Sequence, residues 1–225
     1  MKSDWRAEVP HWVLLAGMFL LGILSWGSVP ERVPVHWGLD GHVDRYGGRI
    51  EGLIGLPLLA LGMYALLRWL PRIDPGRANY ERFAGAYSTI RLSLTAFLSV
   101  TFGLVLLAAR GLPVDLEGAI PLLLGGLFLL LGNVMGKIRP NWFVGIRTPW
   151  TLSSKRAWDR THRLGGWMLM ANGLVFLAGG SLHSRWATLA GIVALLAVSL
   201  FLILYSYRVW RTDPERIPPA GTSPG

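Results

Sequence analysis

Six stretches of this chain, each 16 to 22 residues long, contain no Asp, Glu, Lys or Arg: 11–30, 52–67, 92–109, 118–136, 164–184 and 186–207. An uncharged apolar run of that length is what the hydrocarbon core of a bilayer demands. Within lipid every backbone N–H and C=O must find a partner in the protein, which leaves helices or closed barrels, and runs this long are not barrel strands. The reading is an all-α polytopic membrane protein with six transmembrane helices, expected at about 11–29, 52–70, 88–109, 118–136, 164–183 and 186–208. The first run has no small-x-small cleavage site after it, so it is read as a retained span rather than a signal peptide.

Charge orients the spans. Of the 22 Lys and Arg residues, 17 fall on the side of the two termini and 5 on the other, which puts both termini and the 137–163 segment in the cytoplasm. The net charge of +9 is then a topology signal that also suits an anionic inner leaflet, and it does not call for direct nucleic-acid binding. Cysteine is absent, which excludes disulfides, thiolate metal sites and a Cys nucleophile.

Short connections near 110–117 and 183–186 tie neighbouring spans into antiparallel hairpins, while Pro71 and Pro75-Gly76 break the chain after the second span. The expected organisation is a two-helix membrane unit over 1–70 with a polar external loop at 30–51, a four-helix region over 71–212 with an internal loop at 137–163, and a Pro- and Gly-rich disordered tail at 213–225. Gly132 and Gly136 form a GxxxG spacing, read as packing inside the bundle rather than as a dimer seam. No internal repeat is evident, which weakens an inverted-repeat transporter reading.

Two polar segments carry chemistry. In the external loop His36, Asp40, His42 and Asp44 fall within nine residues. Imidazole and carboxylate are ligands for divalent metals, but Asp in a Gly-rich loop commonly bonds its own backbone. These four are expected to shape the loop, with Trp37 and Tyr46 at the interface, and no metal or cofactor is expected. The internal loop has Pro140, Gly145 and Pro149 as turn points, Trp142, Phe143 and Trp150 suited to the headgroup level, and Ser153 or Ser154 placed to cap a helix running into the fifth span. A basic interfacial helix whose arginines meet lipid phosphates accounts for the charges. It does not account for Asn141, Thr148, Thr151, Thr161 and His162.

Read together, the words Asn141-Trp-Phe-Val-Gly145-Ile-Arg147-Thr148-Pro149-Trp150-Thr151-Leu and Trp158-Asp-Arg-Thr161-His162-Arg-Leu-Gly-Gly166 resemble the SdpI family of bacterial membrane proteins. The segment from Pro34 to Asp44 looks like the small uncharacterised domain that often precedes that region, and the two likenesses together reach over about 10–205. The resemblance implies a six-spanning membrane immunity protein that resists a secreted toxin and holds a cytoplasmic transcriptional repressor at the membrane. It points to Asn141, Gly145, Arg147, Thr148, Pro149, Trp150, Thr151, Trp158, Thr161 and His162 as the binding surface or its support. Two other classes stay open on the residues alone. A small-solute transporter would draw on Asn133, Asn172 and His183, with Arg68 and Arg91 snorkelling to the interface. A membrane enzyme would need the external His and Asp residues or the Asp159–His162 pair, and no HExxH, GxSxG or Walker sequence is present, so no enzyme is expected. Oligomeric state is not readable from the sequence.

Overall fold

A computed structural model describes residues 5–38 and 41–216. Along the chain it runs α1 (Trp5–Leu24), β1 (Arg32–Trp37), β2 (Val43–Gly48), a π turn (Glu51–Gly55), α2 (Leu56–Ile73), a 3-10 segment (Arg77–Phe83), α3 (Ala84–Ala109), α4 (Leu116–Met135), α5 (Pro149–Leu152), α6 (Lys155–Ser181) and α7 (Arg185–Arg211). Among the described residues, six helices are long and apolar enough to cross a membrane. Their outward faces are lined with Leu, Ile, Val and Trp, as lipid contact requires. An even number of crossings places both ends of the described chain on one side, together with α5, and the β1–β2 hairpin on the other.

The loop at 30–51 holds an antiparallel hairpin, a small sheet within an otherwise helical molecule. Val33 of β1 points down into a core of Leu15, Met18, Leu53, Phe102 and Leu106, which pins the hairpin to the bundle. The second core lies at the opposite end, where Tyr80, Phe83, Tyr87, Val134, Ile138 and Trp158 pack together.

The first span begins earlier than its charge-free run, because the charge that precedes that run is neutralised inside the protein. Glu8 is only 5% exposed and receives Arg91 through two hydrogen bonds of 3.0 and 2.6 Å. Arg68 lies 3.3 Å from the same carboxylate and the Tyr64 hydroxyl donates to it at 2.9 Å. The expectation that Arg91 snorkels to the interface is thus overturned: at 5% exposure it is a buried partner of α1. Removing one side of such a pair leaves an uncompensated buried charge, worth about 3–5 kcal/mol. At its other end α1 stops at Leu24, short of the expected 29, where Ser25 hydrogen-bonds the Leu21 carbonyl and accepts from Arg110.

The longest helix–helix seam joins α4 and α6, and its spacing is regular. Gly118, Gly125 and Gly132 of α4 meet Gly180, Gly173 and Gly166 of α6. A Cβ built at Gly125 would lie 2.7 Å from the Gly173 carbonyl oxygen, and one at Gly132 would lie 2.7 Å from that of Gly166. Small residues at such contacts let backbones approach closely, which is how helices associate in lipid. Gly132 therefore serves packing within the chain. Gly126, one residue away, has open space around its Cα. Gly125→Leu is expected to destabilise the purified protein by about 1–3 kcal/mol through overpacking, read as a lower melting temperature in detergent, whereas Gly126→Leu is expected to leave it unchanged.

Candidate functional site

The segment between α4 and α6 has little regular structure, yet its polar groups are nearly all spent inside it. Asn141 is buried and uses its whole amide: Nδ2 donates to the carbonyls of Arg139 and Val144, both at 2.9 Å, and Oδ1 accepts from the N–H groups of Phe143 and Val144 at 3.0 and 2.7 Å. An Asn that closes its own turn in this way replaces the ladder a loop lacks. Thr148 caps α5 reciprocally with Thr151: each side chain accepts from the other's backbone N–H, at 3.1 and 2.9 Å. The Thr148 hydroxyl also reaches Ser206 of α7 at 3.0 Å.

His162 is the pivot. It is fully buried, one turn along α6 from Trp158, and the two rings stack at 4.1 Å. Its Nδ1 faces the Trp158 carbonyl at 2.9 Å, an atom that can only accept, while Nε2 receives the Ile146 N–H at 2.9 Å. The ring therefore carries its proton on Nδ1 and offers a lone pair to the loop. Gly145 sits against that ring with φ +113°, and a Cβ there would collide with Nε2. Both the left-handed backbone and the close approach call for glycine. Trp158 is buried beneath, its Nε1 donating to the Ile138 carbonyl at 2.9 Å. Thr161 is buried beside them with a hydroxyl that has no partner among the described residues.

Asp74, just past α2, also belongs to the loop, though nothing in the sequence singles it out. Its carboxylate accepts from Gly76 N at 2.6 Å, from the Tyr80 hydroxyl at 2.8 Å and from Trp142 N at 3.1 Å. Asn79 adds a 2.8 Å bond to the Pro140 carbonyl. Asp74 stands beside the Pro75-Gly76 turn, and a partner 68 residues away is not visible in spacing. At the far end Ser154 caps α6 and donates to Asp213. That hydrogen bond, with the Glu215 N–H and nearby arginines, holds the Asp213 carboxyl below the ordinary range. Of the tail expected to be disordered, 213–216 are described, with Asp213 seated on this cap, and 217–225 lie outside the described residues.

What faces outward is a smaller set. Arg147 is exposed, with Nη1 donating to the Trp142 carbonyl at 2.6 Å and, among the described residues, its remaining N–H groups unspent. Trp142, Phe143 and Pro149 are exposed, and Trp150 leans on Tyr207 with ring centres 5.2 Å apart. Arg147, Pro149 and Trp150 border an apolar cavity of about 470 Å³ against Ser199, Leu202 and Ile203 of α7. The ten residues read from the motif are thus brought together, but most of them are its buried frame, and Gly145, Arg147, Pro149 and Trp150 are its accessible part.

The external candidates behave differently. His36 and Asp44 pair across the hairpin at 2.6 Å and are well exposed, while Asp40 lies outside the described residues. Among the described residues no three His, Asp or Glu side chains gather as metal ligands would. A second exposed pair on the same side joins Asp115 to His183 at 2.6 Å. The Gly118 N–H, then His183, hold the Asp115 carboxyl below the ordinary range.

Six spanning helices that carry a short polar hairpin on one side and a folded, basic, aromatic loop on the other define a polytopic membrane protein with a structured connecting loop. Residues 137–206, the loop and the two spans after it, match the SdpI/YfhL protein family, and residues 13–61, the first span with its hairpin, match a domain of unknown function, DUF1648. The chain thus carries a segment similar to the SdpI/YfhL family over its loop and last two spans, with a DUF1648 region ahead of it. It is also similar to the immunity protein SdpI of Bacillus subtilis (strain 168), 22% identical over 205 residues that cover 88% of this chain and 93% of the relative. No solved structure matches it.

The folded loop can be tested by protease. Cleavage by trypsin after Arg147 requires local opening. His162→Ala leaves the Ile146 N–H unpaired, and Asp74→Asn puts an amide where only acceptors fit. Each change is expected to cost about 1–3 kcal/mol and to speed that cleavage at least fivefold in detergent-solubilised protein.

Proposed function

We propose that this protein is an immunity and signalling protein of the bacterial cytoplasmic membrane. It protects the cell from a secreted antibacterial peptide or protein, and it holds a cytoplasmic transcriptional repressor at the membrane. Support for immunity comes from the likeness to a relative named for that role over nearly the full length of both chains. Support for a docking role comes from the loop. A connection that served only to link two spans has no need of four side-chain bonds at Asn141 or a buried imidazole aimed at its backbone. Such a frame fixes Arg147 and Trp150 at the surface, which is how a rigid recognition patch is made. Arginine suits the role because its planar guanidinium can grip a carboxylate with two parallel bonds.

In this reading the loop faces the cytoplasm and the hairpin faces outward, following the charge split. Labelling by an impermeant thiol reagent on intact cells is expected at Tyr46→Cys and not at Lys155→Cys, and the reverse would invert the orientation.

A second reading, transport of a small solute, draws on the buried Glu8–Arg91–Arg68 cluster between α1, α2 and α3, since ionisable groups within spans often mark a pathway. The two are separated by one experiment. Cells of the source bacterium lacking the gene are exposed to spent medium of the parent strain. Immunity predicts that they die and that the wild-type gene rescues them. Arg147→Lys at matched membrane levels is expected to rescue poorly and to lose partner retention, while Arg82→Lys rescues fully. Equal survival with and without the gene would remove the immunity reading.

A further inference from the structure

A cavity of about 580 Å³ beside the motif loop changes character along α6. One end is lined by Lys155, Arg156, Arg160 and Arg163, and the other by Trp167 of α6 and Tyr205 of α7. Positions 156, 160, 163 and 167 follow the four-three-four spacing of a single helix face. From Arg160 to Trp167 the helix rises about 10 Å, roughly the depth from a phospholipid phosphate to its upper acyl chain. Trp167 is 67% exposed within a span, on a surface that meets lipid.

The charges at this site are unevenly occupied. Asp159, one of two acids in the lining, is 2.9 Å from Lys155 and 3.9 Å from Arg139. Arg156 donates to the Thr212 carbonyl at 3.4 Å. Arg160 and Arg163 are exposed, and among the described residues neither has a hydrogen-bond or ionic partner. Four other arginines are held closely by the protein: Arg91 by Glu8, Arg110 by Ser25, Arg49 by the Val29 carbonyl and Arg147 by that of Trp142. Even with Glu215 counted, the lining holds four cations against two anions.

We propose that this cleft is a discrete binding site for one anionic phospholipid of the adjoining leaflet, with its phosphate on Arg160 and Arg163 and its first acyl carbons over Trp167 and Tyr205. Two guanidiniums one helical turn apart can each give a phosphate paired N–H donors. The aromatic floor supplies the apolar half that a free phosphate ion has no use for. A soluble acidic protein fits less well, because the cleft runs down into the span instead of opening wholly to water. The site needs only that α6 crosses a membrane, and does not depend on what the motif loop binds.

The test is native mass spectrometry on the full chain released from vesicles of equal phosphatidylglycerol and phosphatidylcholine. Wild-type protein is expected to retain phosphatidylglycerol selectively. With each interfacial cation contributing about fivefold, Arg160→Gln/Arg163→Gln should lower that retention roughly 25-fold, and Trp167→Ala should lower it as well. Arg72→Gln/Arg82→Gln, which removes the same charge elsewhere, should keep it. Equal retention by wild type and the Arg160/Arg163 variant would overturn the site. So would full displacement of the lipid by inorganic phosphate with no effect of Trp167→Ala, the behaviour of a free-anion site. Absence of any lipid preference, combined with loss of cytoplasmic partner retention in the Arg160/Arg163 variant, would make these arginines a protein-docking face instead.

Discussion

The close approach of α4 and α6 is the constraint on which the rest of the molecule depends. Lipid tails are as apolar as leucine, so two helices gain little from burying leucine against each other and must gain from contact at short range. Glycine at every seventh position of both helices, 118, 125 and 132 against 180, 173 and 166, brings backbone to backbone, over about 21 Å of helix. Seven residues are about two helical turns, so the contacts stay on one line. The seam fixes the height of α6 relative to α4, and thereby the position of Trp158 and His162 beneath the loop that joins the two helices.

That loop is ordered by burying polar groups against each other. Asn141 satisfies its own turn, Thr148 and Thr151 cap a one-turn helix, and the loop backbone between them rests on His162 through the Ile146 N–H. Asp74 ties the same loop to the end of α2 and Ser154 ties it to Asp213 beyond α7. A buried polar network of this sort is costly if any member is missing and rigid if all are present. Rigidity is what a surface bearing Arg147, Pro149 and Trp150 needs if it is to recognise another molecule without first ordering itself.

The spans were legible because a bilayer writes a simple rule into sequence: enough residues, no charge. Where they were misjudged, a charge had been neutralised from afar. Glu8 lies outside the first charge-free run, yet it is inside the bundle because Arg91, 83 residues later, meets it. The glycine seam is present in the sequence as a period of seven shared by two segments, alongside the shorter Gly132–Gly136 spacing. The motif loop was legible as a place and only partly as a mechanism. Asn141, Thr148, Thr151 and His162 stood out as polar groups that topology did not require, but nothing in their spacing separates a group that faces a partner from one that holds up the loop. Asp74 was not legible, since its contact with Trp142 exists only once α2 and the loop come together.

The account stands on the motif loop being folded in the free protein rather than shaped by whatever it meets. Amide hydrogen exchange over 141–151, followed by mass spectrometry on the protein alone in lipid nanodiscs, tests this most directly. Slow exchange at Val144, Ile146 and Thr151, comparable with the ends of the spanning helices, is the expected result. Exchange of the whole segment at the rate of an unstructured peptide would contradict it.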